Sequence, residues 1–271
     1  MSLPENVIAS LDVPPDVRAE LSRVQPRLHG LARRVYWLET AGSTNDIAAR
    51  LAEVGAEEGT VVVAEAQTAG RGRMGRVWHS PAGAGLYVSV ILKPAFPTAL
   101  LTLGIGVALA EGVQAATGLP AEIKWPNDLL VAGRKLAGIL AEAASAQGSG
   151  LRFVVLGCGV NLRPAAYPPE LRDRVTSIEA ETNRPADRAV ILAEILAAAA
   201  SRYGDLQHGR FDAILSAWRA RAPSLRGSAV EWDAAGGVIR GRAEDIDETG
   251  ALLVRTGGRI QRVIAGELRW P

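Results

Sequence analysis

Cysteine, lysine and histidine are scarce in this 271-residue chain, and each scarcity excludes a chemistry. The one cysteine, Cys158, cannot close an internal disulfide. With no secretory apolar segment at the N-terminus, a cytoplasmic location is expected. The histidines, His29, His79 and His208, are scattered, and beside a lone cysteine they give no metal-ligand spacing and no Cys/His pair. Net charge is only +1, so nothing global argues for nucleic acid or a membrane surface. No GxxxxGK[ST] phosphate loop occurs. The longest apolar stretch, "TALLTLGIGVALAEGVQAATG", is broken by Glu111 and by glycines, and predicts a buried helix over 98–117 instead of a membrane span.

Lysine is the informative scarcity. Arginine serves wherever a generic cation is needed, and only Lys93, Lys124 and Lys135 are lysines. Two of them fall in one segment, "IKWPNDLLVAGRKLAGIL". A compact ammonium is not equivalent to a guanidinium fork, so this clustering points to function.

The remaining pattern is ordinary for a folded enzyme. Residues 1–34 form a Pro- and Arg-containing lead-in, too short for a DNA-binding domain with its own core. "GSTNDIAARLAEVG" predicts a helix capped by Ser43 or Thr44. "TVVVAEA", "GLYVSVILK", "AEIKW" and "LRFVVLGCGVNL" read as strands, and "DLLVAGRKLAGILAEA" as a hairpin with Gly133-Arg134 at a type II′ tip. "DRAVILAEILAAAASRYGDL", capped by Asp187, and "FDAILSAWRAR" read as helices. After Pro223 come short strands and Gly turns, predicting a small SH3-like β-barrel domain over 223–271. The fold class expected is α+β: a mixed, largely antiparallel sheet with helices packed on one side over 35–222, then the barrel.

"EAQTAGRGRMGRVWHSP" contains a GxGxxG, but "VWHSP" follows where a dinucleotide turn needs a helix. A glycine loop carrying Arg71, Arg73 and Arg76 suits another task. Glycines let it close over a ligand, guanidinium groups bind carboxylates and phosphates, and Trp78 could supply an apolar lid. Such a loop is expected to be loose when free and to order on binding. In the lysine segment, Pro126 fixes a turn from which Asn127 and Asp128 project, and Lys135 is strand-borne. Gly138 admits close backbone approach, and Asn161 sits where a strand leaves the sheet. Cys158 reads as a small buried hydrophobe.

"GSTN", the arginine loop, "IKWPNDLLVAGRKLAGIL" and "GCGVNL", in this order and spacing, resemble a biotin protein ligase over residues 36–162. The short lead-in resembles the monofunctional form. Met74 stands where family loops often carry another basic residue, with little consequence expected.

The resemblance implies that biotin and ATP give biotinyl-5′-AMP, whose acyl group passes to a lysine of a biotin carboxyl carrier domain of a carboxylase. It implies that Ser43, Thr44, Asn45, Gln67, Arg71, Gly72, Arg73, Lys135 and Gly138 hold biotin. Lys135 and Arg73 would be catalytic, stabilising charge where carboxylate meets phosphate. Trp78, Lys124, Asn127, Asp128 and Asn161 would serve the nucleotide, with Mg²⁺ held by ATP phosphates near Asn127 or Asp128. DNA and membrane partners are not expected, and an exposed sheet could make a homodimer or dock the carrier. The alternative is a lipoate–protein ligase or octanoyl transferase of the same fold. A DNA-binding repressor is disfavoured by the near-neutral charge. A silent binding module would not need the arginine loop and both lysines together.

Overall fold

The computed structural model describes residues 13–96, 98–145, 151–234, 237–264 and 268–270. A seven-stranded sheet holds β1 (Val35–Ala41), β2 (Val61–Gln67), β3 (Gly85–Leu92), β4 (Glu122–Lys124), β5 (Asp128–Val131), β6 (Arg134–Ser145) and β7 (Leu151–Asn161). Its order is β1-β2-β3-β7-β6-β5-β4. The β1–β2 pair is parallel and the other neighbours are antiparallel. Strand β1 went unread in the sequence, where "VYWLETA" lacks the apolar run of its neighbours.

Helices cover both faces, which corrects the expectation of one side. Helix α1 (Pro15–Val24), α3 (Thr98–Thr117), α5 (Arg188–Gln207) and α6 (Phe211–Ala220) belong to one layer, while α2 (Thr44–Glu53) packs on the opposite face; a short α4 (Ile178–Thr182) follows β7. The apolar α3 is the buried helix expected: Leu101, Val107 and Leu109 are fully enclosed against the sheet and α5. Asp187 caps α5 by accepting from the Val190 N–H at 3.1 Å.

The described part of the lead-in is not a body apart. Val17 and Val24 on α1, with Leu28 and Leu31, are buried in the main core, and Arg23 and Arg27 donate to Glu194 of α5. The β5–β6 turn also differs. Its central residues are Ala132 and Gly133, at φ 49° and 75°, so the tip is of the I′ kind and lies one residue earlier.

The last five strands, β8 (Ala229–Ala234), β9 (Gly237–Ile246), β10 (Leu252–Thr256), β11 (Arg259–Val263) and β12 (Leu268–Arg269), form an antiparallel sheet ordered β11-β10-β9-β8-β12. This antiparallel sheet is the small C-terminal β domain expected after Pro223. It is tied to the larger part through Trp125, whose indole N–H donates to Gly250 O at 3.1 Å, and through Arg219 on Asp245 at 2.7 Å.

Candidate active site

Opposed residues on neighbouring strands share a face. Across the sheet, Lys124 lies opposite Asp128, Asp128 opposite Gly138, Gly138 opposite Gly159, and Gly159 opposite Tyr87. Charge at the sheet edge therefore grades into a glycine floor and then a buried tyrosine. Above it is a cavity of about 300 Å³. Every site residue proposed from the sequence, from Ser43 to Asn161, lines it.

The lining carries five cations, Arg71, Arg73, Arg76, Lys124 and Lys135, against one carboxylate, Asp128. In a chain of net charge +1, that concentration is local and suited to anions. Lys135 Nζ lies 2.7 Å from Asp128 Oδ1. The backbone of Lys135 is gripped from outside the sheet: its N–H donates to Arg174 O at 2.8 Å and its carbonyl accepts from Thr176 at 2.9 Å. Burial pulls the Lys124 ammonium below its ordinary range; Asp128 opposes this and Lys135 adds to it. Burial also lowers Arg73, again opposed by Asp128, and Arg73 donates to Asn127 Oδ1 at 3.3 Å. Asn127 in turn donates to Ile139 O at 2.9 Å, fixing the corner after Pro126.

At the other end a polar chain runs beside the floor. Gln67 Oε1 accepts from the Thr44 N–H at 2.8 Å and hydroxyl at 3.1 Å. Ser89 donates to Asn45 Oδ1 at 2.6 Å, with Thr44 Oγ1 2.8 Å from its hydroxyl oxygen. Asn45 Nδ2 donates to Glu142 at 2.6 Å. Asn45 is 4% exposed, and a Cβ at Gly157 would meet its Oδ1 at 2.2 Å. Asn45 thus lies against the floor on the cavity side, its hydrogen-bonding capacity largely used. Ser43 differs: it stands at the N-cap of α2 but makes no side-chain cap bond, which leaves its hydroxyl to the cavity.

Three of these residues have partners of their own. Trp78, expected at the rim and on the nucleotide, lies on the glycine floor: a Cβ at Gly159 would stand 2.4 Å from its Cε2, and one at Gly138 3.2 Å from its Cζ3. A flat indole covers a surface lacking side chains, and Lys135 Nζ lies 5.4 Å from its ring centre. Asn161 is buried and donates to Thr176 O at 3.0 Å, so it holds the strap that grips Lys135. Arg71, expected to clasp an anion, forms a two-bond fork on Asp46 at 2.9 and 2.7 Å and reaches Glu142 at 3.3 Å.

The loop itself is tied down: Gly72 N–H donates to Arg76 O at 2.7 Å and Trp78 N–H to Gly70 O at 2.9 Å. Met74 at its tip sits at φ 57°, a left-handed conformation that costs a non-glycine residue roughly 1 kcal/mol. Cys158 is buried on the helix-facing side, and burial pushes its thiol up to about 12. That rules it out as a ready nucleophile.

Sequence reasoning missed Asp46, Glu142, Ser80, Ser89 and Trp270. Trp270, just past β12, lines the cavity, with Lys124 Nζ 5.4 Å from its ring centre. Nothing in the local pattern of the C-terminal strands marks it. Glu142 was findable: in "AGILAEA" it follows Gly138 and Leu140 at period two, an acid on the floor side of an apolar strand.

Comparisons with known proteins agree with this geometry. Residues 37–161 match the Biotin/lipoate A/B protein ligase family and residues 227–268 the Biotin protein ligase C terminal domain. The chain is 39% identical to the biotin--[acetyl-CoA-carboxylase] ligase of Mycobacterium tuberculosis, over 84% of this chain and 85% of that protein. It is 37% identical to the bifunctional ligase/repressor BirA of Bacillus subtilis, over 88% of this chain and 74% of the relative. The biotin protein ligase of Aquifex aeolicus, solved with biotin and ATP, superposes with a TM-score of 0.77 at 29% identity, covering 88% of this chain and all (100%) of that one.

Proposed function

The chain belongs to the biotin protein ligases, and from that membership we propose how its cavity works: biotin lies beside the indole that covers the glycine floor, ATP enters over the charged edge, and their anions meet at Lys135. The enzyme is an ATP-dependent ligase that joins biotin to protein. The observation that carries the proposal is the five-to-one excess of cations over carboxylates in a cavity whose floor is glycine.

Adenylation needs a carboxylate to attack an α-phosphate. The bond formed is carboxyl O–P, the bond broken is P–O to the leaving pyrophosphate, and no strong base is required. Bringing two anions together is the difficulty, and preorganised cations reduce it. The backbone of Lys135 is clamped by Arg174 and Thr176. Arg73 is near enough to Asp128 to feel its charge. Ser43, Thr44 and Gln67 offer hydroxyl and amide groups to a ureido ring. Lys124 and Trp270 flank the nucleotide end.

Mg²⁺ would supply charge neutralisation on the ATP phosphates. The described residues hold no cluster of three metal-ligating side chains, and Asp128 is the carboxylate on the wall. That suits an ion carried mainly by phosphates, the usual way Mg²⁺ binds nucleotide sites. The acceptor is a biotin carboxyl carrier domain, whose neutral lysine amine would attack the acyl carbonyl with AMP leaving. Beyond Ile139, β6 pairs only with β7 among the described residues, an edge suited to a carrier strand or to a second copy of the chain. The packing of residues 13–34 on the helix layer supports reading them as part of the catalytic body. The proposed carboxylase substrate and a single cysteine without an internal partner support a cytoplasmic location.

The test is pyrophosphate release from ATP and Mg²⁺ with biotin or lipoate. Biotin-dependent release is expected. Equal turnover with lipoate would move the substrate to the alternative branch of the family.

A further inference from the structure

The arginine loop has an anchor that the adenylation chemistry does not use. Arg71 meets two carboxylates on different elements: Asp46, in the first turn of α2, through both guanidinium arms at 2.9 and 2.7 Å, and Glu142 on β6 at 3.3 Å. Glu142 also accepts at 2.6 Å from Asn45, which is buried against the floor at Gly157. The loop tip gains little from burial, since Met74 is 68% and Val77 73% exposed. What draws the tip inward is polar contact together with Trp78. We propose that Asp46 and Glu142 are a latch: they grip Arg71 to hold the loop shut over the cavity and so keep the reactive intermediate inside.

The proposal divides labour among the loop arginines. Two carboxylates already neutralise Arg71, so it acts as an anchor, while Arg73 faces the reacting centre. Both acids push the Arg71 guanidinium further above its ordinary range, as expected for a fork held on carboxylates. Glu142 also ties the latch to the floor, because Asn45 shares it with Arg71. All three partners are partly exposed, at 37% for Arg71, 45% for Asp46 and 42% for Glu142. Each contact is therefore weak, and the latch opens readily enough to admit substrates. Asp46 and Glu142 are positioning residues: they act through the loop.

The idea rests on the ligase reading for its intermediate but not for its loop, and the test separates the two. Asp46→Asn and Glu142→Gln keep size, and Gln can still accept from Asn45. In the first arm, trypsin cuts the substrate-free protein between Arg71 and Arg76. The double variant should be nicked about 10-fold faster than wild type and each single about 3-fold faster, the scale of one or two exposed ion pairs. In the second arm, preformed biotinyl-5′-AMP is chased without carrier, and its escape should quicken by similar factors. Raising salt should speed escape from wild type and hardly change it in the double variant. Melting points should stay within a few degrees, and Glu231→Gln, which breaks an exposed pair with Arg240 in the small sheet, should change neither readout. Nicking and escape within twofold of wild type in the double variant would overturn the latch. Should the double variant not fold, the singles decide by the same criterion. A wild type that makes no biotinyl-5′-AMP defeats the ligase reading and leaves the nicking arm to judge the latch alone.

Discussion

Strand β7 shows its two faces to different worlds. Toward the helices it turns Leu156, Cys158 and Val160, all buried in the main core. Toward the cavity it turns Gly157, Gly159 and Asn161, after Val155 has packed on α2. One face is filled with side chains; the other is stripped of them so that Asn45 and Trp78 can lie against the backbone. The same ladder serves both, so rigidity gained on the packed face is inherited by the empty one. A site built this way can be precise without carrying its own core.

The comparison predicts that activity and stability separate by face. The largest effect is expected at Lys135, on the cavity side. Lys135→Met should slow single-turnover formation of biotinyl-5′-AMP by roughly 10²–10³, as for loss of one preorganised donor. Folding should survive, because Lys135 and Asp128 are 30% and 25% exposed and water can replace the pair. Arg at this position should restore the rate only in part, since its fork places charge further out. Lys93→Met, at an exposed strand end, should stay within a few-fold of wild type. A near wild-type rate in Lys135→Met would show that the scarcity of lysine was no guide.

Adjacent residues sharpen the contrast further. Val160→Ala removes two methylenes' worth of fully buried surface and should cost roughly 2 kcal/mol of stability, with adenylation per folded molecule unchanged. Gly159→Ala should do the reverse. Its methyl would stand 2.4 Å from the Trp78 ring, which can swing away, so the melting point should hold while biotin-dependent adenylation falls about 10-fold. If both variants lose stability and activity together, the two faces are not separable.

How much of this was legible depended on the range of the interaction. The lysine segment, the arginine loop and the strand ends announced the cavity, because a turn, a glycine or a rare residue type is a local signal. Helix α3 and the cap at Asp187 were legible for the same reason. What escaped was set by partners distant in sequence. Trp78 reads as a lid until Gly159, on a strand far along the chain, is seen to lack the side chain that would keep it off the floor. Arg71 reads as an anion clasp until Asp46 and Glu142 arrive from two other elements. The turn at Ala132-Gly133 slipped by one residue because Ala at positive φ is costly and only the tight β5–β6 pairing enforces it.

The smallest expected effect tests the far end of the cavity. A serine at an N-cap normally accepts a bond from the first turn, and replacing it by alanine costs about 0.5–2 kcal/mol. Ser43 has the extended cap backbone, φ −148° and ψ 137°, but its side chain makes no such bond. The α2 N-terminus is supported from elsewhere, since the Thr44 N–H donates to Gln67 at 2.8 Å and Ile47 N–H to Ser43 O at 3.2 Å. Ser43→Ala should therefore cost less than about 0.5 kcal/mol in denaturant titration, below the usual range for a cap. If the hydroxyl is reserved for the biotin head, one neutral hydrogen bond is lost on binding. Biotin affinity, measured by calorimetry without ATP, should then weaken by roughly 2- to 10-fold. A destabilised variant with unchanged affinity would return Ser43 to an ordinary capping role and move biotin recognition onto Thr44 and Gln67.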